Sequence, residues 1–249
     1  TSSQFFMPRA KLPFKKFDWN SELAYAIGLI VTDGNLSKDG RHIIMRSSDK
    51  SQLETFRICI GANNKISKTY DNGPTKRPCY RIQLGNVQFY HWLMSIGIEP
   101  AKTHTIGKIK IPNKYFRDFL RGHLDGDGTI ITYLDRYNTY KGRTYANHRL
   151  FVKFISASKK HLAWLHKKIK AIAKVNGALI CNMPRRENRV PMYEIKFAKK
   201  ESLKLLQWLY YQPNLPCLKR KRQLAEKLIK IMPNEKRRKY VFIHVATDE

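Results

Sequence analysis

Two stretches of the chain follow the same pattern, and this duplication constrains the fold more than any other feature. The first reads Leu23-Ala-Tyr-Ala-Ile-Gly28-Leu-Ile-Val-Thr-Asp33-Gly34, and the second reads Phe119-Leu-Arg-Gly122-His-Leu-Asp-Gly-Asp127-Gly128. Each is a mostly apolar, helix-like segment, and in each an aspartate follows the central glycine by five residues. The pattern predicts two equivalent helices that each deliver a carboxylate at the C-terminal end.

The similarity between the two halves extends beyond these segments. In both, a predicted hairpin, a capped helix, a second hairpin and a tryptophan-containing helix follow the aspartate. The first half places them at residues 35–46, 47–60, 65–84 and 86–92, and the second half at 129–155, 156–172, 178–197 and 202–208. The sequence therefore predicts an α+β protein with two αββαββα units.

We place the boundary between the units near residues 105–112, which gives domains 1–108 and 109–249. The first domain includes a leading arm. The second ends in a basic amphipathic helix over 218–232 and a basic tail.

Small residues mark a seam between the two predicted helices. Ala24, Gly28 and Thr32 form one stripe at helical spacing, and Gly122 and Gly126 occupy the matching stripe. Such stripes allow two helix backbones to approach closely. The two aspartates would then lie side by side, where carboxylates ~5 Å apart repel by about 3 kcal/mol at an effective dielectric of ~20. A divalent cation relieves this repulsion, so the pattern predicts a metal site.

The charge of the chain indicates its partner. Lys and Arg outnumber Asp and Glu by 48 to 19, for a net charge of +29. Such a chain favours nucleic acid, since its cations release counterions condensed on the phosphate backbone. No apolar run approaches membrane-spanning length, so no membrane partner is expected. The four cysteines lack zinc spacing and are interpreted as reduced thiols of an intracellular protein, in a prokaryotic cytoplasm or an organelle matrix.

Residues 26–34 and 120–128 resemble the nine-residue LAGLIDADG motif. The chain as a whole is similar to single-chain, two-motif LAGLIDADG homing endonucleases. The resemblance implies two pseudo-symmetric halves with saddle-shaped antiparallel sheets, packed through paired motif helices. It further implies a monomer, usually encoded within an intron or intein, that cuts both strands of a long DNA site and leaves 3′ overhangs. The expected cofactor is Mg²⁺, for which Mn²⁺ or Ca²⁺ can substitute in the site.

The resemblance assigns roles residue by residue. Asp33 and Asp127 match the metal-binding acids, with the backbone carbonyls of Thr32 and Gly126 as neighbouring ligands. Lys102 and Lys219 follow the last helix of each half, where the family carries a basic residue that supports the scissile phosphate. Within the second motif, we interpret His123 as a packed residue.

A basic surface on the strands and hairpins is expected to contact double-stranded DNA, in part at base edges and in larger part at phosphates. The candidates are Lys38, Arg41, Arg46, Lys68, Tyr70, Lys76, Arg77, Arg81 and Gln83 in the first half, and Tyr133, Arg136, Tyr137, Lys141, Arg143, Arg149, Lys153, Arg185, Arg186, Arg189 and Lys196 in the second. Because the two halves differ in sequence, a non-palindromic target is expected.

Three alternatives remain open at this stage. The first is an RNA-binding intron maturase on the same fold, with intron RNA as partner. The second is a DNA-binding regulator that has lost cleavage. The third, a ribosomal-type structural protein, is disfavoured by the ordered repeat and the paired acids.

Overall fold

The computed structural model describes residues 17–70, 76–140, 143–183, 190–232 and 238–239. The first half contains three helices and four strands in the predicted order. They are α1 (Ser21–Asp33), β1 (Gly34–Leu36), β2 (His42–Ser47), α2 (Lys50–Cys59), β3 (Ser67–Tyr70), β4 (Pro78–Gly85) and α3 (Val87–Ser95).

The second half repeats this order after a connection that contains a short 3-10 helix (Asn113–Tyr115). Its elements are α4 (Phe116–Asp125), β5 (Thr129–Tyr140), β6 (Arg143–Ser156), α5 (Lys159–Ala173), β7 (Ala178–Asn182), β8 (Met192–Phe197), α6 (Lys199–Leu209), α7 (Lys219–Ile231) and β9 (Arg238–Lys239). The predicted α+β class and the two αββαββα units are therefore confirmed. The domain boundary at residues 108 and 109 stays a prediction.

Each half carries one antiparallel sheet with the same strand order. The first sheet runs β1-β2-β4-β3 and the second runs β5-β6-β8-β7, with β9 paired to β6. The equivalent orders follow from the sequence repeat, since each half contributes two hairpins in the same succession.

Side-chain caps fix where several helices begin. Asn20, Asp49, Asn86 and Ser158 each accept a hydrogen bond from a backbone N–H in the first turn of α1, α2, α3 and α5. Ser202 was expected to open the last helix of the repeat, but α6 begins at Lys199. The buried Ser202 hydroxyl instead donates to the carbonyl of Phe197 and accepts from the amide of Val152, which fastens α6 to the sheet.

One face of each sheet forms the core. Ile43, Met45 and Ile82 are fully buried in the first half, and Leu150, Val152, Phe154, Ile195 and Phe197 are fully buried in the second. Successive strand residues point to opposite faces. The residues between these core positions therefore lie on the face away from the core, which we call the open face of each sheet.

Among the described residues, no helix is long and apolar enough to cross a membrane.

Candidate active site at the helix pair

The two motif helices, α1 and α4, touch backbone to backbone. A Cβ atom on Gly28 would lie 2.2 Å from the carbonyl oxygen of Phe119, and one on Gly122 would lie 2.1 Å from the carbonyl oxygen of Tyr25. Real side-chain carbons do not come so near to a backbone oxygen, so both positions require glycine. The predicted small-residue seam is thus present, and it joins the two halves.

This seam brings the two candidate acids together. Asp33 is the last residue of α1, and Asp127 follows the end of α4 by two residues. A Cβ atom on Gly126 would lie 2.8 Å from Oδ2 of Asp33 and 1.9 Å from Oγ1 of Thr32. The residue before Asp127 therefore packs directly against Asp33.

The charge of Asp127 affects the ionisation of Asp33. Burial, followed by repulsion from Asp127, raises the pKa of Asp33 to about 6. Asp127 has an exposed outer surface, but the protein packed around its inner side still raises the pKa of its carboxyl by desolvation. Both carboxyl groups therefore resist losing their protons. A cation bound between them would stabilise the charged form of both.

Asp33 is held by side chains from its own half. Nε2 of Gln52 in α2 donates to Oδ2 of Asp33 over 3.1 Å, and Ser47 orients Gln52 by donating to its Oε1 over 2.7 Å. The hydroxyl of Thr32 lies 3.4 Å from the same Oδ2. Both donors lower the pKa of Asp33 and so oppose the effect of burial. Nothing in the spacing of the motifs predicts this role for Gln52.

Lys102 lies beside the acids and comes from the first half. Its ammonium is buried and donates to the carbonyl of Gly34, the residue after Asp33. Burial lowers the pKa of Lys102 to about 8, while the charges of Asp127 and Asp33 act in the opposite direction. A lysine so placed is a charged neighbour of both acids.

In the second half the equivalent position belongs to Lys221 and not to Lys219. Lys219 is exposed at the first turn of α7. The Nζ atom of Lys221 donates to the carbonyls of Leu124, Asp125 and Gly128, at 2.6, 2.9 and 2.7 Å. Gly128 follows Asp127 as Gly34 follows Asp33, so Lys102 and Lys221 are pseudo-symmetric. Burial lowers the pKa of Lys221 to about 8.

Other polar residues of the second motif serve packing. Arg121 is fully buried and pairs with Asp118 at 2.8 Å. Asp125 accepts from the Tyr25 hydroxyl at 2.9 Å and from the amide of Leu218 at 2.7 Å, which ties α1, α4 and the start of α7 together. His123 is buried and lies 3.1 Å from His161 between their Nε2 atoms, as expected for a packed residue.

The donor set suits a hard divalent cation. Within the part of the chain that the structure describes, no group of three or more His, Cys, Asp or Glu side chains could hold a metal ion. A cation at the seam would depend on Asp33, Asp127, backbone carbonyls such as those of Thr32 and Gly126, and water. Carboxylate, carbonyl and water oxygens are the ligands that Mg²⁺ and Ca²⁺ prefer.

The residues predicted to contact DNA lie on different faces of the two sheets. The open faces carry Arg46, Arg81 and Gln83 in the first half and Tyr133, Arg149, Lys153 and Lys196 in the second. Lys68 and Tyr70 pair with Tyr80 and Pro78 on the other face of the first sheet, so the structure does not group them with the open-face residues.

The remaining candidates lie in hairpins or outside the described side chains. Lys38, Arg41, Lys76 and Arg77 are exposed in the turns and near the strand ends, and Arg136 is exposed at the register shift within β5. Tyr137 and Arg143 contribute described backbone only. Lys141, Arg185, Arg186 and Arg189 fall outside the described residues.

Solved structures share this fold. The LAGLIDADG homing endonuclease I-LtrWI bound to target DNA matches with a TM-score of 0.54 and 11% identity, over 86% of this chain and 91% of that chain. I-DmoI in complex with DNA and Ca matches with a TM-score of 0.51 and 13% identity, over 84% and 96%. Full-length DUF199/WhiA from Thermatoga maritima matches with a TM-score of 0.51 and 17% identity, over 87% and 62%.

The chain has the LAGLIDADG fold. At these identities the likeness establishes the fold alone, and two of these three structures were solved with DNA.

Comparisons of sequence add little to this result. No protein-family model matches the chain. A stretch of 130 residues is 32% identical to the replication factor C small subunit of Methanocaldococcus jannaschii, covering 46% of this chain. The chain spans only 7% of the length of that protein.

Proposed function

We propose that this LAGLIDADG protein is a single-chain homing endonuclease. It hydrolyses phosphodiesters on both strands of a long, non-palindromic DNA site with a divalent metal and leaves 3′ overhangs. The observation that carries this proposal is the contact of Gly126 with Thr32 and Asp33, which brings the two acids together at the ends of the paired helices.

The acids and their neighbours have separate tasks in this proposal. Asp33 and Asp127 hold Mg²⁺, with Mn²⁺ or Ca²⁺ as substitutes, and Gln52 fixes the orientation of the Asp33 carboxylate. When bound, the metal supplies a Lewis acid that activates water and stabilises the leaving 3′ oxygen. Lys102, buried beside both acids, stabilises negative charge at the scissile phosphate.

Lys221 acts differently from Lys102. Three carbonyl oxygens accept hydrogen bonds from its ammonium, and two of them belong to the last turn of α4. The last carbonyls of a helix lack partners within the helix and carry partial negative charge. Lys221 therefore serves as a positioning residue that fixes the turn bearing Asp127.

Double-stranded DNA is the proposed partner. The net charge of +29 and the arginines and lysines of the two open faces favour a polyanion. The two open faces differ in sequence, which supports a target whose half-sites differ.

A cleavage-inactive DNA-binding regulator is the second candidate. The likeness of fold to DUF199/WhiA, beside the likeness to homing endonucleases, favours it. Such a protein would use the open faces but would not require the paired acids.

The experiment that separates these functions is a selection from a randomised double-stranded DNA library in Mg²⁺, with cleaved and bound molecules sequenced separately. An endonuclease yields one enriched site with 3′ overhangs at a fixed position. A regulator yields an enriched site among the bound molecules alone. Enrichment from a matched RNA library, without enrichment from DNA, would identify a maturase.

A further inference from the structure

The pairing registers align the open faces of the two sheets row by row. Asn35 and Thr129 each lie two residues after an acid of the helix pair. Asn35 pairs with Ile44, and Thr129 pairs with Lys153. Ile44 and Lys153 are therefore equivalent, and so are their partners on the next strand, Gln83 and Lys196.

The next row of the open face has opposite chemistry in the two halves. In the first sheet, Arg81 pairs with Arg46 on one side and with Ser67 on the other. In the second sheet, Glu194 takes the equivalent place, and its two partners are Ile155 and Ile180. The row that holds two arginines in the first sheet therefore holds two isoleucines and a carboxylate in the second sheet.

A lysine already neutralises the carboxylate in this row of the second sheet. Glu194 is buried and pairs with Lys153 at 3.1 Å between Nζ and Oε2. What this row presents to a partner is therefore the two isoleucine side chains.

A second apolar row of the open face lies nearer the β5–β6 hairpin, beyond the row that carries Thr129, Lys153 and Lys196. Ile131 pairs with Phe151, and the ring of Phe151 lies 6.4 Å from that of Tyr133 between centroids. Tyr133 is 51% exposed. Nζ of Lys196 lies 4.2 Å from the centroid of the Phe151 ring, so a cation borders the apolar surface.

These two surfaces can recognise different features of a major groove. Arginine donates two hydrogen bonds to O6 and N7 of guanine, whereas isoleucine can make none. An apolar side chain can distinguish bases by contact with the C5-methyl group of thymine, which the other standard bases lack. Lys196 supplies the attraction to phosphates that a purely apolar face would not have, since the charge of Lys153 is already paired with Glu194.

On the basis of the proposed function, we propose that the second half reads C5-methyl groups of pyrimidines, through Ile155, Ile180, Ile131 and Phe151, where the first half reads guanine through Arg46 and Arg81. In unmodified DNA this group is the thymine methyl. The target then has one half-site rich in A·T pairs at positions that contain G·C pairs in the other.

The test is a binding selection from three randomised duplex libraries that contain thymine with cytosine, uracil with cytosine, or uracil with 5-methylcytosine. The first library yields one half-site with conserved A·T pairs. In the library with uracil and cytosine, conservation is lost in that half-site alone. In the library with uracil and 5-methylcytosine, conservation in that half-site returns. On the selected site, replacing thymine by deoxyuridine weakens binding about fourfold for each contacted methyl group.

Variants at Ile155 supply the matched control. Ile155→Ser, which has no methyl group, abolishes the preference for thymine over uracil at its base pair, whereas Ile155→Val retains it, and unchanged melting temperatures show that both variants fold. Equal binding to thymine and uracil sites by the unaltered protein overturns the inference.

The outcomes for the two proposals are distinguishable. Cleavage without thymine preference leaves the endonuclease proposal intact and ends this inference. Thymine preference without cleavage supports this inference and overturns the endonuclease proposal. Failure to bind any of the duplex libraries overturns both.

Discussion

A Cβ atom on Gly28 would lie 2.2 Å from the carbonyl oxygen of Phe119. The two motif helices therefore approach as closely as their backbones permit. Because this seam is also where the acids meet, its spacing determines the geometry of the site as well as the packing of the two halves.

We expect Gly28→Ala to destabilise the protein. Alanine is favoured over glycine in a helix by roughly 1 kcal/mol, but the added methyl group forces α1 and α4 apart. We expect a net loss of about 2 kcal/mol or more in the free energy of unfolding, measured by urea titration. Gly107→Ala is the control, since a Cβ at Gly107 meets nothing within 4 Å. A Gly28→Ala protein as stable as the control would show that the helices are not in contact.

Lys221→Met tests the positioning role of this lysine. The substitution keeps the apolar stem but leaves the carbonyls of Leu124, Asp125 and Gly128 without its ammonium. Buried carbonyls without partners cost about 1–3 kcal/mol, so we expect a loss of about 2–3 kcal/mol in stability. Lys219→Met, at an exposed position on the same helix, should stay within about 0.5 kcal/mol. Equal stability of the two variants would rule out the positioning role.

The charge of Asp127 should be detectable in the titration of Asp33. Burial and the neighbouring carboxylate both raise the pKa of Asp33, to about 6. Asp127→Asn removes the second cause and leaves the first, so the pKa of Asp33 should fall. Carboxyl ¹³C chemical shifts in metal-free protein would measure it. Asp39, whose pKa a hydrogen bond with His42 lowers to about 2, is the internal reference. An unchanged pKa of Asp33 would place the acids too far apart to share a cation.

The buried histidine pair predicts a dependence of stability on pH. His161 donates from Nδ1 to the carbonyl of Gly107 over 2.8 Å, so its Nε2 accepts from Nε2 of His123. Burial lowers the pKa of His161 to about 4 and lowers that of His123 well below its ordinary value. Both rings stay neutral in the folded protein while the unfolded chain takes up protons. Stability is therefore lost as the pH falls below about 6.5.

His123→Phe should reduce this loss. One histidine contributes up to about 1.4 kcal/mol per pH unit. Asp33 and Asp125, whose pKa values burial raises to about 6, contribute with the opposite sign in both proteins. The difference between urea titrations of the variant and the unaltered protein from pH 6.5 to 5 therefore isolates His123. Parallel pH dependences would show that His123 is not held neutral.

The sequence predicted the parts of the molecule that depend on local spacing. The glycine stripe, the capped helix that follows the first hairpin of each half, and the order of strands and helices follow from short-range patterns. Gln52 was missed because it lies 19 residues from Asp33 in the chain, and only the packing of α2 against α1 brings its amide to the carboxylate.

The basic residue of the second half could not be assigned from the sequence for a different reason. Lys219 and Lys221 stand two positions apart on α7, which turns their side chains by about 200° relative to each other. The position of the first residue of α7 decides which lysine faces the seam, and a sequence offset cannot resolve that choice. For Lys68 and Tyr70, which lie in a strand, the sequence could not decide which face of the sheet they occupy, because that depends on the pairing register.

The most direct measurement of the central claim is cleavage of the selected DNA site by Asp33→Asn and Asp127→Asn, with each DNA strand labelled and binding measured in parallel. We expect each variant to lose double-strand cleavage by at least about 10²-fold in Mg²⁺, and to retain DNA affinity within about threefold, because its basic open faces are unaltered. Asp39→Asn should cleave as the unaltered protein does. Full double-strand cleavage by either Asp33→Asn or Asp127→Asn would contradict the claim that the paired carboxylates form the active site.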